Sequence, residues 1–146
     1  MKSLHDFIVN EMASAKFDLN KAFRDYTIFG IITDDPLKLA HEDKHIPEDS
    51  TIIELFEQED ETNGGIVDIN GVLENLIDNP PKGAIIWIVT EKSKNCKFFK
   101  DKDLYNFIFK GNYQGKTLDN QQIVISSSED LLPKEYQAKL NPFIKM

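Results

Sequence analysis

Short unbroken apolar runs alternate along this chain with longer stretches in which apolar residues recur every three or four positions. The runs are YTIFGIIT (26 to 33), GAIIWIVT (83 to 90) and QQIVISSS (121 to 128), all rich in β-branched or aromatic residues. Each reads as a strand buried on both sides, because a half-exposed strand would alternate apolar with polar residues. The first stops at Thr33-Asp34-Asp35-Pro36, a turn sequence that is also a good helix start, with Asp35 as cap and Pro36 in the first helical position.

The stretches with helical spacing fill the intervals. Ser3 and Asp6 resemble a capping pair ahead of Leu4, Phe7, Ile8, Met12 and Ala15, which predicts an N-terminal amphipathic helix. A short helix is expected through LKLAHEDKH, ended by Pro47. Asp49 or Ser50 then caps a second one, in which Ile52, Ile53, Leu55 and Phe56 face inward while Glu54, Glu57 and Glu61 line the outside, before the turn at Asn63-Gly64-Gly65. In VDINGVLENLIDNPP the residues Val72, Leu73, Leu76 and Ile77 predict another helix, stopped by Asn79-Pro80-Pro81. KDKDLYNFIFKG reads as a helix from Asp101 or Asp103 to Gly111, and SEDLLPKEYQAKL as a C-terminal helix from near Ser128, with Pro142 as its stop.

The predicted order is helix, strand, helices, strand, helix, strand, helix. Apolar strands separated by helices imply an α/β fold: a small sheet, about three-stranded or slightly larger, at least partly parallel and flanked by helices. A length of 146 residues suits a single domain spanning 1–146. With 40% hydrophobic and 29% charged residues the composition is that of a globular protein with a real core.

No apolar run approaches the roughly 20 residues that cross a bilayer, and MKSLHDFIVNEMASAK places Asp6 and Glu11 where a signal peptide needs an apolar centre. The single cysteine, Cys96, excludes an intrachain disulfide. The expected compartment is the cytoplasm, with no membrane partner.

Charge changes the picture more than composition does. Residues 1 to 80 hold 18 Asp and Glu against 6 Lys and Arg, whereas residues 81 to 146 hold 7 against 11, so the net charge of −8 comes from the first half. Such a balance opposes direct nucleic-acid binding, which needs cations against phosphates, and favours a basic protein surface as partner. The densest stretch is EDSTIIELFEQEDE (48 to 61), whose Glu48, Asp49, Glu54, Glu57, Glu59, Asp60 and Glu61 are candidate partner-binding residues. Closely spaced carboxylates speed association with a basic cleft and can take the places where a nuclease holds phosphates.

One motif points to different chemistry. HEDKH (41 to 45) fits HExxH, which on a helix sets two imidazoles on one face with a carboxylate beside them. The segment resembles the active helix of zincin-type metallopeptidases. That resemblance, which covers the motif and about twenty residues of context, implies His41 and His45 as zinc ligands, Glu42 as general base, and a third ligand among Glu54, Glu57, Glu61 and Glu74. It departs from the family in its charged centre, Asp43 and Lys44, and in lacking the metzincin third ligand, with Glu48 at the position three after His45.

Other candidate chemistry is thinner. Cys96 sits among Lys92, Lys94, Lys97 and Lys100, which favour the thiolate, but no histidine stands in a cysteine-hydrolase context, so a structural cysteine is expected. The same lysines beside Phe98, Phe99 and Tyr105 loosely match a single-strand nucleic-acid surface and equally a core. Ser126-Ser127-Ser128 reads as a strand end and helix cap rather than an anion site, and neither GxGxxG nor GxxxxGK[ST] occurs.

The function expected from these features is a non-catalytic acidic protein-protein interaction module of the inhibitor, immunity-protein or antitoxin type. It would bind a basic partner such as a toxin or nuclease, with no catalytic residue, cofactor or metal. The alternatives are a minimal zinc-dependent hydrolase built on HEDKH and an accessory subunit of a larger assembly.

Overall fold

A computed structural model describes residues 19–56, 68–94 and 96–146. The strands are β1 (Ile28–Ile32), β2 (Thr51–Glu54), β3 (Ile85–Val89), β4 (Asn112–Tyr113), β5 (Lys116–Thr117), β6 (Gln122–Ser126) and β7 (Ile144–Lys145). The helices are α1 (Leu19–Asp25), α2 (Pro36–Glu42), α3 (Ile69–Asp78), α4 (Lys102–Lys110) and α5 (Lys134–Leu140). Five strands form one parallel sheet in the order β2-β3-β6-β1-β7, and β4 and β5 make a separate antiparallel pair. The fold is therefore α/β, with a parallel sheet slightly larger than three strands.

The three apolar runs became β1, β3 and β6, which lie side by side at the sheet's centre. All five residues of β3 and of β6 are buried, and strands covered on both faces carry no alternation to read. Their side chains still divide between two cores. Ile28, Ile85, Trp87, Val89 and Val124 join one, and Phe29, Ile31, Ile86, Ile88, Ile123 and Ile125 the other.

Chain direction explains which helix covers which face. From β1 the chain crosses to the far edge at β2, with α2 on the same face as α1. From β2 it steps back through β3, β6 and β7, and α3, α4 and α5 lie on the opposite face. Because parallel crossovers keep one hand, reversing the direction of travel changes the face that the helix covers.

Local signals start three of these helices. Asp35, Asp68 and Asp101 cap α2, α3 and α4, accepting bonds from the amides of Lys38, Asn70 and Asp103. Gly111 ends α4 in the left-handed conformation at φ 61°, where a side chain would be strained.

Three expectations need correction. The segment expected as a second helix after Pro47 is a strand: residues 51–54 form β2, paired with β3. Its Ile52, Ile53, Leu55 and Phe56 suit either conformation, and distant partners decide between them. The Ala84 amide donates to Ser50 Oγ at 2.9 Å, the Thr51 amide to the Ala84 carbonyl at 2.9 Å, and the Ser93 hydroxyl to the Leu55 carbonyl. Glu54 consequently sits on a sheet edge rather than on a helix face.

The helix expected to reach Pro47 instead ends at Glu42, since the Asp43 carboxylate accepts from both the amide and Nδ1 of His45, at 2.8 and 2.7 Å, in place of a further helical turn. At the C-terminus Ser128 caps only a 3-10 turn, Glu129–Leu131. Pro133 forces Leu132 into extended backbone, α5 begins after it, and β7 follows Pro142. The predicted N-terminal helix and the turn at Asn63-Gly64-Gly65 lie outside the described residues.

Candidate functional site

In an open parallel sheet, ligand sites form beyond the C-terminal ends of the strands, where neighbouring connections leave in opposite directions. Here that point lies between β1 and β6. Thr33, Asp34 and Asp35 leave β1 there, and Ser127 and Ser128 leave β6. The serines serve the loop itself: Ser126 Oγ donates to the Ser128 carbonyl at 2.7 Å, and Ser128 Oγ accepts from the Asp130 amide at 3.2 Å. Ser126 is the strand end expected of it, and Ser128 caps a 3-10 turn rather than the expected helix.

Beside this edge an open groove of about 390 Å³ is lined by Thr33, Asp34, Asp35, Lys38, Leu39, Glu42 and Asp43. The geometry follows from the sequence, because Asp35, Lys38, Leu39 and Glu42 stand at helical spacing and so share one side of the chain entering and forming α2. Four carboxylates therefore face one ammonium. Asp43 is bound to His45, while Asp34 and Glu42 are exposed and, among the described residues, in no ion pair.

The acidic surface continues along the connection into β2. Glu48 and Asp49 are exposed, and Asp49 adopts a left-handed φ of 62°, its carbonyl accepting from the Gly83 amide at 3.1 Å. Glu54, half-buried, is the last residue of β2. None of these three makes an ion pair among the described residues. Glu57, Glu59, Asp60 and Glu61 lie outside the described residues.

HEDKH is divided between two structures. His41 and Glu42 are exposed at the end of α2, whereas His45 lies beyond the Asp43 cap and bonds to it. The two imidazoles are not presented by one helical turn, which is the arrangement that the zincin resemblance implies. Among the described residues, no three His, Cys, Asp or Glu side chains are grouped so as to hold a metal ion.

Cys96 is buried, beside a separate cleft of about 400 Å³ that also takes in Lys94, Phe99, Lys100 and Leu131. Phe98 and Phe99 are core residues, so the basic-plus-aromatic stretch puts its rings inward. Close to Cys96, Tyr136 is buried among the rings of Phe99, Tyr105 and Phe109, at centroid distances of 5.3, 5.6 and 5.3 Å. Burial pushes its phenol well above the ordinary value, with Glu135 and Asp101 adding to the shift. Among the described residues its hydroxyl has no hydrogen-bond partner.

Among known proteins, the chain matches no family model, no curated sequence and no solved structure. No helix among the described residues is long and apolar enough to cross a membrane. One feature lay beyond the reach of sequence patterning, the outer main-chain edge of β2, which no other strand pairs among the described residues, because the signal for it is a pairing partner 34 residues away rather than any local period.

Proposed function

We propose that this protein is a non-catalytic interaction module, of the inhibitor, immunity-protein or antitoxin type, whose acidic surface engages a basic partner such as a nuclease. The observation that carries this reading is the set of carboxylates without ion-pair partners among the described residues: Asp34, Glu42, Glu48, Asp49 and Glu54. Carboxylates neutralised by nearby lysines would present a mixed surface with little field. Unpaired ones leave a negative potential that steers a cationic surface into place and repels wrong partners. A supporting feature is the groove along α2, which gives part of that field a concave shape.

The test is co-purification of the tagged protein from its native host, followed by identification of whatever binds. The expected partner is basic, its complex weakens steeply as salt rises, and the combined change Asp34→Lys, Glu42→Lys and Glu48→Lys abolishes it while the fold survives. A complex indifferent both to salt and to the triple reversal would overturn the proposal.

A further inference from the structure

The sheet has two ends, and they differ. β7 offers only two residues, whereas β2 is longer and, among the described residues, pairs with β3 alone. The Thr51 amide donates to Ala84 and the Leu55 amide to Ile88, both at 2.9 Å, so residues 51, 53 and 55 turn their main-chain groups inward. Alternate residues of a strand point these groups to opposite edges, so Ile52 and Glu54 turn theirs outward. Among the described residues those outward groups bond to nothing.

Edge strands are usually blunted by proline, a bulge, charged side chains or shortness. β2 is four residues long and carries one carboxylate, Glu54, but it has no proline, lysine or bulge, and its register against β3 runs unbroken from Thr51 to Glu54. Charge decides what could pair there. Glu48 and Asp49 are exposed ahead of the strand, and Glu54 lies on it. A second copy of this chain, itself at −8, would bring like charges together, whereas a cationic strand would be drawn in.

We infer that the free edge of β2 receives an extended cationic segment of the partner as an added strand, held by the main-chain groups of Ile52 and Glu54 and selected by the surrounding carboxylates. Strand addition of this kind divides the work: main-chain bonds supply affinity, and side chains supply specificity. The inference rests on the acidic-surface reading above and adds the manner in which the partner is held.

The test uses the full chain, isotope-labelled, and a soluble ten-residue peptide of alternating lysine and valine. A second peptide of the same sequence, N-methylated at its four central residues, keeps the charge but cannot pair along either edge. The expected result is saturable shifts and slowed hydrogen exchange at the Ile52 and Glu54 amides with the first peptide, and binding at least about tenfold weaker with the second. Glu54→Pro, which removes one outward amide but none of the β2–β3 bonds, should weaken the first peptide similarly. Because the peptide comparison needs no altered protein, loss of folding in that variant leaves the test intact. Equal, salt-sensitive binding of both peptides would overturn strand addition while leaving the acidic surface standing. Absence of binding by either would overturn both.

Discussion

The two faces of the sheet are built to different plans. One is covered by α3, α4 and α5 and filled with rings: Trp87 meets Phe107 edge-on at 6.0 Å, and Tyr136 touches three further aromatics. The other is covered by α1 and α2, packs mainly isoleucines and alanines with the edge-on pair Phe23 and Phe29 among the described residues, and carries the acidic groove on its outer side. Stability and surface charge are thus largely separated in space. Changes on the aromatic face should alter folding, and changes on the acidic side should alter association with little effect on folding.

The sharpest way to break this comparison is at the centre of the aromatic face. Trp87→Ala is expected to cost about 3–5 kcal/mol. Trp87 is fully buried, and its Nε1 donates to Gln122 Oε1 at 2.8 Å, so truncation also strips a buried amide of a partner. Urea denaturation measures this directly; a loss no larger than that from Leu37→Ala, on half-buried α2, would contradict the assignment of stability to the aromatic face.

Gly30→Ala comes next, at roughly 1–3 kcal/mol. A Cβ at Gly30 would lie 2.7 Å from the Phe143 ring and 3.3 Å from Leu140, so α5 and its following segment approach β1 as closely as they do only because the side chain is missing. Thermal melts read the loss, and Phe143→Ala in the same chain should recover part of it.

Tyr136→Phe should stabilise by about 1 kcal/mol, because it deletes a buried hydroxyl that has no partner among the described residues. The same variant tests the titration. Folding raises the phenol's pKa above its ordinary 10.0, so the contribution of the neutral ring is complete below pH 10 and is lost as pH rises toward the folded value. Denaturation midpoints of the parent should therefore fall above pH 10, and those of the variant should fall less.

The smallest expected effect on folding belongs to the acidic side. Asp34→Lys, Glu42→Lys and Glu48→Lys are all exposed and, together, should shift stability by no more than roughly 0.5 kcal/mol per position. The same triple change is expected to remove the partner complex. If it unfolded the protein, the separation between the faces would not hold.

How much of this was legible from residues alone varies along the chain. β1, β3 and β6 are central and covered on both sides, so their environment demands unbroken apolar runs, and such runs are visible without a structure. Helix α3 was equally plain, because Leu73 and Leu76 recur on its buried side, and Asn79 and Pro80 stop it. β2 was not legible. Ile52, Ile53, Leu55 and Phe56 can be read at either period, and pairing with β3, together with the bonds at Ser50 and Ser93, holds them extended.

The candidate site divides in the same way. That the first half is acidic needs no structure, nor does the spacing that puts Asp35, Lys38 and Glu42 on one side of α2. Which carboxylates stay unpaired depended on distances to lysines elsewhere: Asp78 meets Lys116 at 3.7 Å and Glu129 meets Lys145 at 3.6 Å, whereas Asp34, Glu42 and Glu48 meet none among the described residues. HEDKH had the letters and spacing of a metal helix, and one local hydrogen-bonding choice by Asp43 separated its histidines.

The sequence by itself determined the fold class, the central strands, the helix caps and the excess of negative charge, because each depends on burial pattern or local bonding that nearby residues specify. Only the tertiary structure decided that residues 51–54 are a strand at the end of the sheet's described order, which carboxylates stay without ion-pair partners among the described residues, and that Tyr136 is buried with its hydroxyl unpartnered among them. The reason is physical: strand pairing, charge neutralisation and desolvation are set by groups far apart in the chain, and no local period records which of them will meet.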